Sequence, residues 1–151
     1  MSTEFSLLIK RLLYGPVQQA SGQQIISDGL SSYSYVEFIN RVNRFGQLLE
    51  CFGLGQGDVV AIMDWDTHRY LEAFFAVPML GSTLHTVNIR LSPSQIAYTI
   101  DHAEDDVILF DDNGAYPGLQ AAETILNKGS KLEIITPERF FSPEVGGLNH
   151  V

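Results

Sequence analysis

The sequence predicts an α/β fold: a mostly parallel sheet of repeated strand–helix units, preceded by an N-terminal helix and a β-hairpin. Short apolar runs have their centres near residues 61, 85, 108 and 134. A spacing of roughly 24 residues leaves room for one helix in each crossover connection. The runs are continuous rather than alternating, which is typical of strands buried on both faces. Together these patterns favour a parallel sheet with right-handed connections.

Composition sets the class of protein. The 151 residues are 45% hydrophobic and 18% charged, which is typical of a globular domain. Eighteen acidic and nine basic residues give a net charge of −9, which argues against a nucleic-acid partner. Cys51 is the sole cysteine, so an internal disulfide is excluded and a cytoplasmic location is expected. No apolar run reaches the roughly 18 residues of a transmembrane segment.

The first element is an N-terminal helix. Its apolar residues recur at helical spacing: Phe5, Leu8, Ile9, Leu12 and Leu13. The segment has neither the basic start nor the cleavage site of a secretory signal. A helix docked on its own protein is the favoured interpretation, and a membrane-surface helix is the alternative.

A hairpin and a capped helix follow. Asp28-Gly29 lies between two strand-like runs and favours a tight turn. Ser34, with Glu37 three residues later, predicts the start of a helix. One apolar stripe runs along this helix: Phe38, Val42, Phe45, Leu49 and Phe52. Gly53 stands where a left-handed C-terminal cap is expected.

The strand–helix units come next. Strands are predicted at 59–63, 83–89, 107–110 and 132–136, and helices at about 68–80, from Ser92 onward, and at 119–127. Ser92, Pro93 and Gln95 form a capping box with proline at the first helical position. We therefore divide the chain into the helix, hairpin and capped helix (1–57), a parallel α/β subdomain (58–136), and a tail or truncated continuation (137–151).

The stretch "FGLGQGDVV", residues 52–60, has the glycine content of a phosphate-binding loop. A dinucleotide loop places its glycines after a strand and before a helix, so that the helix N-terminus faces the phosphates. Here the order is reversed, because the glycines close a helix and lead into a strand. The stretch is therefore predicted to be a turn.

Polar residues near the ends of the predicted strands are the candidate ligand contacts. In "DWDTH", Asp64, Asp66 and His68 alternate after the first strand of the sheet and could hold a metal. The alternative is that Asp66 or the following threonine caps the next helix. Open α/β sheets bind ligands at the carboxyl ends of their strands. The substrate-side candidates are therefore Asp64, Asp66, His85, Asn88 and Asp111.

Two stretches resemble the N-terminal part of AMP-forming acyl-CoA synthetases, which belong to the adenylate-forming enzymes. "SYSYVEFINRVNRFGQLLECFGLGQGDVVAIM" is similar to the family's early segment, where a capped helix leads through a G-x-x-x-G-D turn into a strand. "HRYLEAFFAVPMLGSTLHTVNIRLSPSQIAYTIDHAEDDVILFDD" is similar to the next segment. Its "LHTVNIRL" form resembles fatty-acyl-CoA ligases.

The resemblance implies the reaction of a parent enzyme, and it also implies motifs that this sequence lacks. The parent enzyme would join a fatty acid to CoA with ATP and magnesium, releasing AMP and pyrophosphate. Its T-S-G-T-T-G-x-P-K-G loop, its ribose-binding aspartate and its catalytic lysine have no counterpart in these 151 residues. No catalytic, cofactor-binding or metal residue is therefore assigned, and no cofactor is expected for this chain alone. The expectation is an inactive N-terminal fragment: an expressed piece of the enzyme, the product of an interrupted gene, or one half of a split enzyme.

A second class stays open: a stand-alone, non-catalytic binding or oligomerisation module of the same fold. Exposed sheet edges and uncovered apolar surface favour self-association. We therefore expect a homo-oligomer, such as a homodimer, or a missing C-terminal partner chain. A third interpretation, a small receiver-like or nucleotide-binding domain, fits the strand rhythm but lacks a phosphate loop and an acidic triad.

Overall fold

A computed structural model of the chain describes residues 8–20, 22–27 and 31–110. The Asp28-Gly29 turn, the helix at 119–127, the strand at 132–136 and the tail at 137–151 were predicted in segments outside these residues.

The chain divides into two compact units. The first unit contains the residues up to Val60 together with Asp66–Leu84, and the second contains Ala61–Trp65 together with the residues from His85 onward. The division at residue 57 that the sequence suggests stays a prediction.

The described part of the predicted N-terminal helix is helical from Ile9 onward. A short 3₁₀ helix, Ile9–Leu13, leads directly into α1, Tyr14–Ala20. Leu13 is buried, whereas Leu8 and Leu12 are exposed, so one residue of the predicted stripe anchors the segment. Phe5 lies outside the described residues.

The predicted hairpin is confirmed. Strand β1, Gln24–Ser27, pairs antiparallel with β2, Ser31–Ser34, in a register that sets Gln24 opposite Ser34 and Ser27 opposite Ser31. The backbone N–H of Tyr35 donates to the carbonyl of Gln23, which ties the start of the next helix to the hairpin.

Helix α2, Tyr35–Cys51, begins where the capping pattern predicts. The Ser34 hydroxyl accepts a bond from the N–H of Glu37 at 3.2 Å, which satisfies one of the free donors of the first turn. Most of the apolar stripe is buried or half-buried, but Phe52 is exposed because it lies past the last turn. Cys51, the last residue of the helix, is exposed as well.

The glycine-rich stretch after α2 is a turn. Gly53 has a φ of +82°, a left-handed conformation that favours glycine, and it closes the helix. The carboxylate of Asp58 accepts the N–H of Gly55 at 2.7 Å, and Ser82 Oγ donates to the Gly55 carbonyl at 2.6 Å. The polar groups of Gly55 are thus bonded within the protein, as the turn interpretation requires.

Three of the four predicted strands are described, and they form a parallel sheet. They are β3, Val59–Met63, β4, Thr83–Thr86, and β5, Val107–Phe110, in the spatial order β4-β3-β5. The chain therefore steps from β3 to one neighbour and returns past β3 to the other. Strand β4 is shorter than predicted: after a last bond from Val87 N–H to the Ile62 carbonyl, the backbone turns at Asn88.

Both helices between these strands have the predicted type of cap. The Thr67 hydroxyl caps α3, His68–Met79, by accepting the N–H of Arg69. Ser92 and Gln95 form a reciprocal capping box at the start of α4, Pro93–Ala103.

Each unit has its own apolar core. One buried cluster of the first unit contains Leu13, Phe38, Val42 and Ala76. One buried cluster of the second unit contains Ala61, Met63, Val87, Ile96 and Ile100. Because β3 contributes Ala61 and Met63 to a buried cluster, its continuous apolar run is explained by burial.

Candidate functional site

The carboxyl ends of β3 and β4 form the candidate site. The strand order reverses direction about this pair, because the chain leaves β4 and passes back beyond β3 to β5. Ligands of open α/β sheets bind outside the carboxyl ends of the strands at such a reversal.

Asp64 and Asp66 follow β3, but they have different environments. Asp64 comes directly after the strand and is 7% exposed, whereas Asp66 is exposed and has a left-handed φ of +60°. The helix cap is Thr67, so of the two proposed capping residues the structure assigns this role to the threonine. In the part of the chain that the structure describes, no group of three or more His, Cys, Asp or Glu side chains is arranged to hold a metal ion.

Asn88 shapes the loop that follows β4. Its Oδ1 atom accepts the N–H of Arg90 at 2.9 Å, and its carbonyl accepts the N–H of Leu91 at 3.2 Å. The side chain therefore holds a turn that leads into the Ser92 cap of α4. This turn fixes the backbone positions of the residues between β4 and α4.

Trp65 and Arg90 meet in this region, and sequence reasoning missed both. The guanidinium carbon of Arg90 lies 5.9 Å from the centre of the Trp65 ring, within the range of a cation–π contact. Trp65 is 47% exposed, and Arg90 is exposed. The available signal was an aromatic residue and a cation in the loops just after two neighbouring strands.

His85 lies inside β4 rather than at its carboxyl end. Its Nδ1 atom is 2.7 and 3.0 Å from the two carboxylate oxygens of Asp105, which precedes β5. The Asp105 side chain is 0% exposed, and that of His85 is 22% exposed. Burial raises the pKa of Asp105, while the bond and the charge of His85 oppose this rise. We call these two residues the His85–Asp105 pair.

His85 has a second ring nitrogen, Nε2. Nε2 has no hydrogen-bond partner in residues 8–20, 22–27 and 31–110. Among those same residues, no buried side-chain nitrogen or oxygen lacks a partner. Asp111, the remaining candidate, lies outside the described residues.

A second buried carboxylate lies in the first unit. Glu72 Oε1 accepts from the Tyr33 hydroxyl at 3.1 Å and from Arg41 Nε at 2.5 Å, and Oε2 accepts from Arg41 Nη2 at 3.3 Å. Burial, followed by the charge of Glu72, raises the pKa of Tyr33 to about 12. The bond to Glu72 raises the pKa of Arg41. We call these three residues the Glu72 cluster.

Comparison with known proteins identifies the family. A sequence model described as AMP-binding enzyme matches residues 16–144. The chain belongs to the AMP-binding enzyme family. Its fold is the corresponding part of the N-terminal domain of the adenylate-forming enzymes.

Three relatives show the extent of the similarity. The chain is 50% identical over 80 residues to a long-chain-fatty-acid–CoA ligase of Thermus thermophilus, a match that covers 53% of this chain and 15% of that protein. It is 32% identical over 111 residues to a 3-methylmercaptopropionyl-CoA ligase of Ruegeria pomeroyi, covering 70% and 21%. The crystal structure of a benzoate CoA ligase from Burkholderia xenovorans superimposes with a TM-score of 0.71 at 20% identity, covering 84% of this chain and 25% of that one.

The chain corresponds to only part of the matched ligases. The chain spans about a fifth or less of the length of these two ligases. A loop of the form T-S-G-T-T-G-x-P-K-G, which the family resemblance implies, does not occur in the 151 residues.

Proposed function

We propose that this chain is the N-terminal structural part of an AMP-forming fatty-acyl-CoA ligase. The parent reaction joins a fatty acid to CoA and converts ATP to AMP and pyrophosphate, with magnesium. The main support is the family match over residues 16–144, together with 50% identity to a long-chain-fatty-acid–CoA ligase. The identity to the 3-methylmercaptopropionyl-CoA ligase is lower than the identity to the fatty-acid ligase, which favours a fatty acid as the substrate.

The role proposed for these residues is to form one wall of the sheet on the acyl-binding side. On this proposal Asp64, Asp66, His85, Asn88 and Asp111 lie toward the substrate side, although none performs a catalytic step. Residues 1–57 would form the helix, hairpin and capped helix, 58–136 the parallel subdomain, and 137–151 a continuation.

The purified 151-residue chain should catalyse no ATP–pyrophosphate exchange with fatty acids of any length. Phosphoryl charge must be stabilised by preorganised donors, and the loop and lysine that supply them in the family are missing. Exchange is measured with labelled pyrophosphate, with a complete fatty-acyl-CoA ligase as the positive control. Fatty-acid-dependent exchange by the purified chain would show that the missing motifs are not required.

A non-catalytic module that self-associates is the second candidate. Its support is the exposed apolar surface of the first unit: Leu12 is 66% exposed, Leu48 51% and Phe74 41%. A two-fold dimer is the commonest way to bury such surface. Within the described residues, no helix is long and apolar enough to cross a membrane. We propose the cytoplasm as the location, because Cys51 is the sole cysteine.

Light scattering after size exclusion tests this second candidate. A species of twice the chain mass at tens of micromolar, converted to monomer by Phe74→Glu but not by Lys10→Glu, supports self-association through the apolar surface. A monomer at every concentration would exclude the self-associating module and would favour the first candidate, the structural part of a ligase.

A further inference from the structure

We propose that residues 8–14 dock this chain on an anionic lipid bilayer. Leu8 and Leu12 enter the boundary between the headgroups and the acyl chains, and Lys10 and Arg11 pair with anionic headgroups. We call residues 8–14 the N-terminal surface. The proposal concerns a surface of the chain itself and depends neither on adenylation nor on a fatty acid as substrate.

The fixed position of this segment on the protein is the first support. The N–H of Arg11 donates to the carbonyl of Leu8 at 2.9 Å, so the first turn is closed by a backbone bond. Leu13 is 6% exposed and anchors the segment in the buried cluster that also contains Phe38, Val42 and Ala76. The other side chains of the segment are therefore presented from a docked element of the first unit.

The exposure of its apolar side chains is the second support. Leu8 is 50% exposed, Leu12 66% and Tyr14 56%. Three large apolar side chains of one short segment are thus left in water, although Leu13 between them is buried. Moving such side chains into an apolar medium is favourable in proportion to the area removed from water.

The charge of the segment is the third support. Lys10 and Arg11 are exposed, and in the sequence they are the only charged residues between Glu4 and Asp28. The chain as a whole has a net charge of −9, so its excess of acidic residues lies outside this stretch. An anionic bilayer repels most of such a chain and attracts its basic stretch. The charge pattern therefore selects the N-terminal surface as the face that meets the bilayer.

The mixture of side chains favours a bilayer over a second copy of the chain. Helices that lie in a membrane interface place aliphatic side chains among the acyl chains, and lysine and arginine reach the headgroups. Tyrosine is enriched at the level of the headgroups, which is the place that Tyr14 would take. A two-fold contact centred on the N-terminal surface would instead set Lys10 and Arg11 of one copy against the same cations of the other.

Sedimentation with lipid vesicles tests the docking with the complete 151-residue chain. The probe is a vesicle of phosphatidylglycerol and phosphatidylcholine in equal parts. The bound fraction should rise saturably with lipid, into the range of about 1 mM, because a short segment binds weakly and reversibly. Vesicles of phosphatidylcholine alone should bind about tenfold less, and about 0.5 M salt should release the chain by screening the headgroup charge.

Variants separate the contributions of charge and apolar contact. The double variant Lys10→Gln, Arg11→Gln should bind anionic vesicles about tenfold more weakly, because two cations near the surface are lost. Leu12→Gln should weaken binding by about the same factor, because its side chain no longer favours the acyl boundary. The matched controls on α2 are Arg44→Gln, which removes an exposed cation, and Leu48→Gln, which removes a leucine that is 51% exposed. Both controls should bind as the unaltered chain does.

Tryptophan fluorescence tests whether Leu12 itself enters the lipid. Trp65 is the single tryptophan of the sequence, so Leu12→Trp in a Trp65→Phe background reports on one position. Its emission should shift to shorter wavelength with anionic vesicles, whereas Leu48→Trp in the same background should not shift. Circular dichroism confirms that each variant folds.

Four results would overturn the proposal. They are the absence of binding to anionic vesicles, equal binding by the double variant or by Leu12→Gln, an unshifted emission of Leu12→Trp, and a dimer that Leu12→Gln converts to monomer without lipid. The last would identify the N-terminal surface as a contact between two copies of the chain instead.

Discussion

Each of the two units buries a carboxylate, and the two carboxylates differ in their hydrogen-bond partners. In the Glu72 cluster, both oxygens accept from groups on β2 and α2, and Arg41 also lies over the Tyr33 ring at 5.3 Å. In the His85–Asp105 pair, the carboxylate is bonded by the Nδ1 atom of one imidazole. The Glu72 carboxylate therefore has three hydrogen bonds from two residues, whereas the Asp105 carboxylate is held by a single ring.

The difference lies in how many elements of the fold each carboxylate holds together. A closed cluster links its elements, and removing a partner leaves an uncompensated charge. An ionised carboxylate can only accept a hydrogen bond, so Nδ1 of His85 is the donor whenever the Asp105 carboxylate is charged. The same orientation of histidine by a carboxylate is used in catalytic and metal sites.

The largest expected effect on the free energy of unfolding comes from a substitution in the Glu72 cluster. Arg41→Ala should lower the free energy of unfolding by about 3 kcal/mol, because it leaves the Glu72 carboxylate buried with the tyrosine hydroxyl alone. Arg44→Ala is the matched control on the same helix, since Arg44 pairs with Glu37 at the exposed surface. The control should cost less than about 1 kcal/mol. Urea unfolding measures both, and equal losses would mean that the cluster is no more stabilising than a surface pair.

A smaller effect is expected at the His85–Asp105 pair, and it depends on pH. The pKa of Asp105 is raised above its ordinary 3.8, so the folded chain holds its proton to higher pH than the unfolded chain does. The stability contributed by this proton is present at low pH and is lost as pH rises from 3.8 through the raised value. The slope of stability against pH from this one group cannot exceed about 1.4 kcal/mol per pH unit.

Asp105→Asn tests that slope. Asparagine keeps an oxygen that can accept from Nδ1 of His85 but has no proton to lose, so the fall in stability from this group should disappear. Asp106→Asn, at the neighbouring position, should keep a reduced slope, because the charge of Asp106 contributes to the raised pKa of Asp105. Urea unfolding between about pH 3.5 and 7 gives the three curves. If the unaltered chain and Asp105→Asn give parallel curves, the buried carboxyl does not titrate in this range.

Local structure was predictable because its signals lie close together in sequence. The Ser92 capping box and the Gly53 cap each depend on residues within one helical turn, and both are confirmed. The end of β4 was predicted too late, because "TLHTVNI" keeps a strand-like composition past the point where the Asn88 side chain bonds the next turn.

The candidate site was predictable only in part. The rule on carboxyl strand ends located the loop residues Asp64 and Asn88, and it also suggested His85, which instead pairs with Asp105 inside the second unit. Trp65 and Arg90 are 25 positions apart, and their contact depends on which strands are neighbours. Periodicity gives the type of an element but not its neighbour in the sheet, so such pairs could not be read from the sequence.

The smallest effect is expected from Tyr33→Phe at neutral pH, where the free energy of unfolding should fall by about 1 kcal/mol for one lost hydrogen bond to Glu72.

At high pH the ionisation of Tyr33 gives a second test of the Glu72 cluster. The pKa of Tyr33 is raised from 10.0 to about 12, so the unfolded chain loses this proton first and stability falls as pH rises from 10 to 12. Absorbance at about 295 nm follows the ionisation of the six tyrosines. The step near pH 12 should vanish in Tyr33→Phe and persist in Tyr98→Phe, whose ring is 65% exposed. A step near 12 that survives Tyr33→Phe would mean that the closed cluster does not hold this hydroxyl in its protonated form.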